Sequence, residues 1–154
     1  MKNNFVIMVV FLCAACQSAP PPAVMSNKSA VELRAIESRQ FQTGDRKAML
    51  RSVIATLQDL GYSIDKVAAT PGSVTATKLA ALVLTVSLYP ESGTATVVRA
   101  NAMISVPPKI YQVDSPGFYQ KDFFDPLAHA LQLDALPASA DGEGNALSMP
   151  TTKQ

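Results

Sequence analysis

His129 is the single imidazole in the 154-residue chain, and Asp125 stands four residues before it. On a helix this spacing brings the two side chains together, as in a general base and the carboxylate that orients it. Catalysis would also need a hydroxyl within about 3 Å of the pair, and no sequence motif identifies one. We therefore interpret His129 as a helix histidine beside an acid, and we expect a protein that is not an enzyme.

Other groups for metal or cofactor chemistry are few. Both cysteines, Cys13 and Cys16, lie within the first sixteen residues, and the carboxylates are scattered, so the sequence predicts no set of three or four metal ligands. It contains neither a G-x-S-x-G motif nor a strand-linked glycine-rich loop for phosphate. Its 13 basic and 12 acidic residues are too balanced for nucleic-acid binding. We expect no cofactor, no metal and no nucleic-acid partner.

A cluster of aromatic residues lies in the last third of the chain, and two interpretations of it remain open. In the first, Phe123 and Phe118 fill the core, while Tyr111 and Tyr119 bury their rings and keep their hydroxyl groups in contact with water. In the second, Tyr119 or Phe124 is left exposed and anchors a partner protein, because aromatic anchors often dominate interfaces. Tyr119 and Phe124 are therefore the candidate partner-binding residues.

The N-terminus has the order of a secretory signal. A charged start, Met1-Lys2, is followed by an apolar run from Phe5 to Leu12 and then by small residues. The run is shorter than the roughly twenty residues that a transmembrane helix needs. We expect residues 1–15 to be a signal peptide for export.

The residues Ala14-Ala15-Cys16 after this run resemble the lipobox of bacterial lipoproteins, although Cys13 stands where that family usually has Leu. The resemblance implies cleavage before Cys16 and lipidation of Cys16, and hence a membrane partner through an N-terminal lipid anchor. Gln17 in place of Asp implies sorting to the outer membrane, with the domain facing the periplasm. The alternative is an ordinary secretory signal cleaved after Ala15, which would leave a free thiol.

Composition divides the mature chain into three parts. Residues 16–29 carry Cys16 and three consecutive prolines, which predicts a semi-rigid tether reaching up to about 40 Å. Residues 30–136 hold the periodic apolar pattern and are expected to form a single domain. Residues 137–154 lack large periodic apolar residues and are predicted to be a flexible tail.

Within the domain, apolar residues at spacings of three and four predict an amphipathic helix from Asp45 to Leu60, which Gly61 ends. The stretch from Glu32 to Phe41 allows a leading edge strand. Two antiparallel hairpins are predicted by four β-rich runs: Tyr62–Ala69 with Ser73–Lys78, and Leu82–Tyr89 with Thr94–Val106.

A closing helix is predicted from Ser115 to Leu133. Pro126 lies inside it, so the helix either kinks there or gives way to a separate helix from Asp125. The element order predicts the α+β class: a two-layer sandwich in which two helices cover one face of an antiparallel sheet of four or five strands.

The same order resembles the small repeated domain of the C subunit of the outer-membrane β-barrel assembly machinery, itself a lipoprotein. The shared features are Leu57-Gln58-Asp59-Leu60-Gly61-Tyr62 at a helix end, Gly72-Ser73-Val74 entering a strand, and Phe123-Phe124 in a closing helix. The resemblance implies an architecture of that kind, whereas function has to be argued from sites.

These observations favour a non-enzymatic lipoprotein of the outer membrane that binds other envelope proteins. It would be an accessory or scaffold subunit of an assembly, secretion or transport complex. The alternative is a periplasm-facing module that binds an apolar ligand between sheet and helices. That alternative needs a cavity, and a core filled by Met49, Val53, Leu57, Leu84 and Phe123 would argue against it.

Overall fold

The structure, a computed structural model, describes residues 21–138; the predicted signal peptide, Cys16 and most of the predicted tail lie outside these residues. The described chain is α+β, with one mixed sheet of eight strands. The strands are β1 (Ala23–Val24), β2 (Ser38–Phe41), β3 (Ser63–Ala68), β4 (Ser73–Lys78), β5 (Leu82–Ser92), β6 (Ala95–Val106), β7 (Lys109–Gln112) and β8 (Leu136–Pro137). The helical elements are α1 (Ala30–Glu37), α2 (Arg46–Asp59), α3 (Pro116–Tyr119), a π-helical turn (Gln120–Phe124) and α4 (Asp125–Leu131).

The long strand β6 organises the sheet. One of its edges pairs with β5, and the order continues through β4 to β3. Its other edge pairs with β2 along residues 96–99 and with β7 along residues 103–106. The short strands β1 and β8 add to β7 and β2, and β1 runs parallel to β7. The expected sheet of four or five antiparallel strands is therefore too small, and its purely antiparallel pairing is wrong.

The leading segment is mostly a helix, and the predicted edge strand is confined to β2. Ser29 begins α1 with a capping box, in which its Oγ accepts from the Glu32 backbone N–H at 3.2 Å. The Glu32 carboxylate accepts in return from the Ser29 backbone N–H at 2.8 Å. Because the Ser-x-x-Glu spacing satisfies two helix-terminal donors, it overrides the weak β tendency of the scattered apolar residues.

The central predictions are confirmed. α2 begins after Asp45, whose carboxylate accepts from the Ala48 backbone N–H at 2.9 Å, and the chain leaves the helix through Gly61 at φ +82°. Both predicted hairpins form, β3 with β4 and β5 with β6. These elements depend on neighbours in sequence, so local patterns were sufficient to locate them.

Pro126 neither breaks nor simply kinks the closing helix. The chain continues from α3 into α4 through the π-helical turn, in which the Asp125 backbone N–H bonds to the Gln120 carbonyl. A proline has no N–H to donate and crowds the carbonyl four residues earlier. The wider turn accommodates both effects, so neither of the two alternatives that the sequence left open describes this helix.

In residues 21–138, one apolar core lies between the sheet and the helices. Met49, Val53 and Leu57 of α2 pack with Leu84 of β5 and Phe123 of the π-helical turn, and all five are completely buried. The helices thus cover the sheet face that carries Leu84 and Val86.

The domain is longer than residues 30–136 at both ends. Ala23 and Val24, assigned above to the tether, pair with Ile110 and Tyr111. Ser26 also donates from its Oγ to the Asp114 carboxylate at 2.5 Å. At the other end, Pro137 pairs with Arg39. The sheet therefore begins only seven residues after Cys16.

Candidate functional site

The structure places His129 and Asp125 on the exposed side of α4. Asp125 accepts a hydrogen bond from the Gln120 side-chain amide, so its carboxylate is turned toward the preceding helical turn. His129 lines an open depression together with Gln42, Gln132 and Leu136. Within residues 21–138, the Asp125 carboxylate bonds to Gln120, and no hydrogen bond joins it to His129. The arrangement is that of a surface histidine on a helix.

The two candidate partner-binding residues are not at the surface. Tyr119 and Phe124 are both completely buried. Phe124 packs against Phe123 with ring centroids 5.1 Å apart, and the Arg39 guanidinium lies 5.2 Å from its ring centre. The expectation that either ring is exposed is therefore wrong, because α3 directs Tyr119, and the π-helical turn directs Phe124, toward the interior of the domain.

Tyr119 instead bonds to the edge of β6, between the residues that pair with β2 and those that pair with β7. Its hydroxyl accepts from the Ala102 backbone N–H at 3.1 Å and donates to the Val113 carbonyl at 2.7 Å. The Val113 N–H in turn bonds to the Ala102 carbonyl. Burial is the main cause that raises the pKa of Tyr119 to about 12, and the N–H of Ala102 opposes this rise.

We expect Tyr119→Phe to lower the free energy of unfolding by about 1–3 kcal/mol at neutral pH, since it leaves a buried N–H and a half-buried carbonyl without this partner. Tyrosine ordinarily ionises near pH 10, whereas folded Tyr119 holds its proton to about pH 12. The contribution of protonated Tyr119 to the free energy of unfolding is therefore complete below pH 10 and is lost as the pH rises to about 12. Urea unfolding at several pH values should show the difference between the parent and Tyr119→Phe shrinking across this window. Tyr89→Phe, at an exposed position, is the control, and a difference that stays constant with pH would contradict the assignment.

A buried carboxylate that sequence analysis did not single out lies at the end of α1. Glu37 is completely buried, and its Oε2 accepts from Arg99 Nη2 at 3.0 Å. Its Oε1 accepts from Asn101 Nδ2 at 3.0 Å and from Gln112 Nε2 at 3.2 Å. One carboxylate thus joins α1 to β6 and β7 on the sheet face turned away from the core. The signal in the sequence was Arg99 and Asn101 at alternate positions in a strand whose other residues are apolar or carry small hydroxyl groups.

Glu37→Gln should lower the free energy of unfolding by about 1–3 kcal/mol, because the neutral amide loses charge-assisted hydrogen bonds and presents donors to donors. The expected loss is below that of a fully buried ion pair because the Arg99 side chain is 40% exposed and can be hydrated. The urea midpoint measures the effect, with the exposed Glu91→Gln as the matched control. Equal midpoints for the two variants would show that the Glu37 cluster contributes nothing to stability.

An apolar surface crosses one end of the sheet on its helix side. The pairing places Val24, Tyr111, Ile104 and Leu82 side by side on four successive strands. Leu79, at the tip of the β4–β5 hairpin, extends the row and is 89% exposed. We call Val24, Leu79, Leu82, Ile104 and Tyr111 the apolar end. A groove of about 410 Å³ runs along part of it, with Tyr62 and Phe118 in its wall.

Charged groups surround the apolar end. Lys78 and Lys121 line the groove together with Asp122. The Lys78 ammonium lies 5.5 Å from the centre of the Tyr62 ring, and Lys109 is exposed where it pairs with Val106. This end of the domain therefore carries lysines next to large apolar side chains.

The centre of the sheet face turned away from α2 is polar. The central side chains that share it are half-buried and come from three adjacent strands: Ser73, Thr75, Thr85, Ser87 and Asn101. We call these five residues the open face. Thr75 and Thr85 lie opposite each other, with their hydroxyl oxygens 3.4 Å apart. Four of the five carry small hydroxyl groups, which can form hydrogen bonds.

Within residues 21–138, no group of three or more His, Cys, Asp and Glu side chains is placed to hold a metal ion. No helix in that range combines the length and apolar character needed to cross a membrane. A scan against protein-family models and a search of curated proteins each find no match to the chain.

Proposed function

We propose that this protein is a non-enzymatic, lipid-anchored envelope protein that serves as an accessory or scaffold subunit of an outer-membrane assembly, secretion or transport complex. The observation that carries the proposal is the lipobox-like sequence Ala14-Ala15-Cys16, followed within seven residues by a folded domain. The lipid on Cys16 holds the protein at the outer membrane, and the domain, a two-layer α+β sandwich, faces the periplasm.

The packing of the domain favours a function carried by its surface. The five core residues that an internal ligand would have to displace, Met49, Val53, Leu57, Leu84 and Phe123, are completely buried against one another. A ligand between sheet and helices would need this tightly packed layer to open, which costs the contacts it now makes. The packing therefore weighs against the alternative function of binding an apolar ligand inside the domain.

Among the surfaces, the open face suits a protein partner better than the sheet edge at β3. β3 carries an irregularity between Ile64 and Lys66, and Asp65 in it accepts a hydrogen bond from the Thr77 hydroxyl at 2.6 Å. Bulges and charged side chains are features that protect edge strands from pairing with other chains. The open face presents hydroxyl groups that can bond to a partner, and the partly exposed Arg99 lies on the same face opposite Ser87.

The test is copurification from cells that make the protein with a small tag after Gln154. After crosslinking, the envelope is solubilised in mild detergent and the captured proteins are identified by mass spectrometry. Thr85→Lys places a long cation at the centre of the open face, whereas Ala55→Lys places the same cation on the exposed side of α2. The two variants thus differ in position and not in added charge.

The proposal expects a reproducible envelope partner that is captured by the parent and by Ala55→Lys and is lost with Thr85→Lys. Unfolding midpoints of both variants establish that any loss comes from the surface and not from instability. Capture of a defined small molecule or lipid with no protein would instead support the apolar-ligand alternative.

A further inference from the structure

The apolar end has the composition of a surface that meets a lipid interface. Val24, Ile104 and Tyr111 are between 37% and 38% exposed on adjacent strands, so their apolar surfaces form one continuous strip. Val106, two residues beyond Ile104 on the same side of β6, is 52% exposed. A contiguous exposed apolar patch with a polar rim marks a protein or membrane contact more often than plain solvent-facing surface.

Leu79 is a second sign of a contact outside the domain, because neither its exposure nor its backbone conformation favours leucine at this position. Leu79 and Ala80 both adopt left-handed backbone, at φ +54° and +53°. Asn and Gly occupy such turn positions at lower conformational cost than a branched apolar residue. The hairpin tip instead carries a leucine that is 89% exposed. An apolar environment outside the domain would favour that side chain.

The charge around the apolar end suits anionic lipid headgroups. Lys78, Lys109 and Lys121 surround it, and Asp122 is the acidic residue in the same groove. Lysine side chains bury their methylene stems along apolar surface and keep the ammonium group near headgroup phosphates. Apolar residues with a basic rim are the combination found on proteins that lie in the plane of a membrane interface.

The position of β1 brings this end close to the predicted anchor. The Pro22 carbonyl accepts from the Ile110 backbone N–H at 3.2 Å, so the chain is held to the sheet from this residue. Six residue steps separate Cys16 from Pro22, which span at most about 20 Å. This is about half of the reach predicted for the whole tether, and Val24 of the apolar end follows two residues later.

We propose that the apolar end is the surface by which the domain lies on the lipid bilayer. The inference rests on the proposed lipid anchor, because the patch is small and the anchor supplies the high local concentration that keeps it engaged. In this orientation Leu79 and its neighbours enter the headgroup region, the lysines meet phosphates, and the open face remains available to proteins of the periplasm.

The two hairpin tips at opposite ends of β5 give a matched experiment on the full chain. Ala80→Cys lies beside Leu79, and Ser92→Cys lies at the other tip, about 33 Å away along the strand. Both positions are exposed, and both substitutions are small. Each purified protein is labelled with an environment-sensitive dye and reconstituted into vesicles of phosphatidylethanolamine and phosphatidylglycerol that contain a lipid-borne quencher. The parent chain without an added cysteine is the blank.

The proposal expects the chain to float with the vesicles and the dye at position 80 to be quenched severalfold more than the dye at position 92. Leu79→Asn, which suits the left-handed backbone but is polar, should reduce quenching at position 80. Equal quenching at the two tips of a floating chain, or no effect of Leu79→Asn, would overturn the proposed orientation and leave the anchor intact. A chain that does not float would overturn the anchor and the orientation together.

Discussion

Cys16→Ser is expected to release the protein from the membrane and to abolish its lipid modification. Lipoproteins of the class that the N-terminus resembles carry more than one acyl chain. Each buried methylene contributes about 0.8 kcal/mol, and two lipid signals already give stable anchoring. Loss of the acceptor thiol therefore removes nearly all of the membrane affinity. Fractionation after a high-salt wash, together with electrophoretic mobility, measures the change.

Cys13→Ser is the matched control for this experiment. Cys13 lies three residues before Cys16 and would leave with the signal peptide, so its substitution should not alter the membrane fraction. The lipoprotein proposal would fail if Cys16→Ser stayed bound to the membrane after the wash with unchanged mobility. It would fail equally if the parent protein carried a free thiol at Cys16, as an ordinary secretory signal cleaved after Ala15 would leave it.

Phe124→Ala should have the largest effect on stability, a loss of about 3–5 kcal/mol in the free energy of unfolding. The ring is completely buried, packs against Phe123 and supports the Arg39 guanidinium. Its removal leaves a cavity that the π-helical turn cannot close without losing its own contacts. Urea unfolding should show a lower midpoint at an unchanged slope, because the surface that becomes exposed on unfolding is nearly the same in the variant and in the parent.

Tyr111→Ala is the control, since this aromatic side chain is 38% exposed at the apolar end. We expect it to cost far less than Phe124→Ala. A loss below about 1 kcal/mol for Phe124→Ala would contradict the packing described for the ring. A partner lost from Phe124→Ala in copurification would report instability of the domain, so this variant is unsuitable as a probe of an interface.

The fold could be predicted from the sequence where local patterns decide it. The apolar spacing of α2, Asp45 before it and Gly61 after it specify a helix without reference to the rest of the chain. The Thr70-Pro71-Gly72 reversal does the same for the β3–β4 hairpin. β1, β7 and β8 were missed because they are short strands stabilised by pairing with distant segments, as Val24 pairs with Tyr111.

The candidate site was harder to predict, because exposure depends on which face of an element meets the sheet. Tyr119 and Phe124 were correctly placed in a helical aromatic cluster, but the π-helical turn before Pro126 rotates the residues around it in a way that a regular helical period does not describe. Glu37 lies more than 60 residues from each of its three partners. The members of the apolar end resemble ordinary strand residues until the register places them side by side.

The central claim is the lipid anchor, and the mass of the N-terminal peptide of the mature chain, isolated from membranes, tests it most directly. The account predicts a chain that begins at Cys16 and carries the added mass of a diacylglyceryl group on its sulfur. A peptide that begins at Cys16 without added mass, or one that retains residues 1–15, would contradict the anchor and the membrane orientation that depends on it.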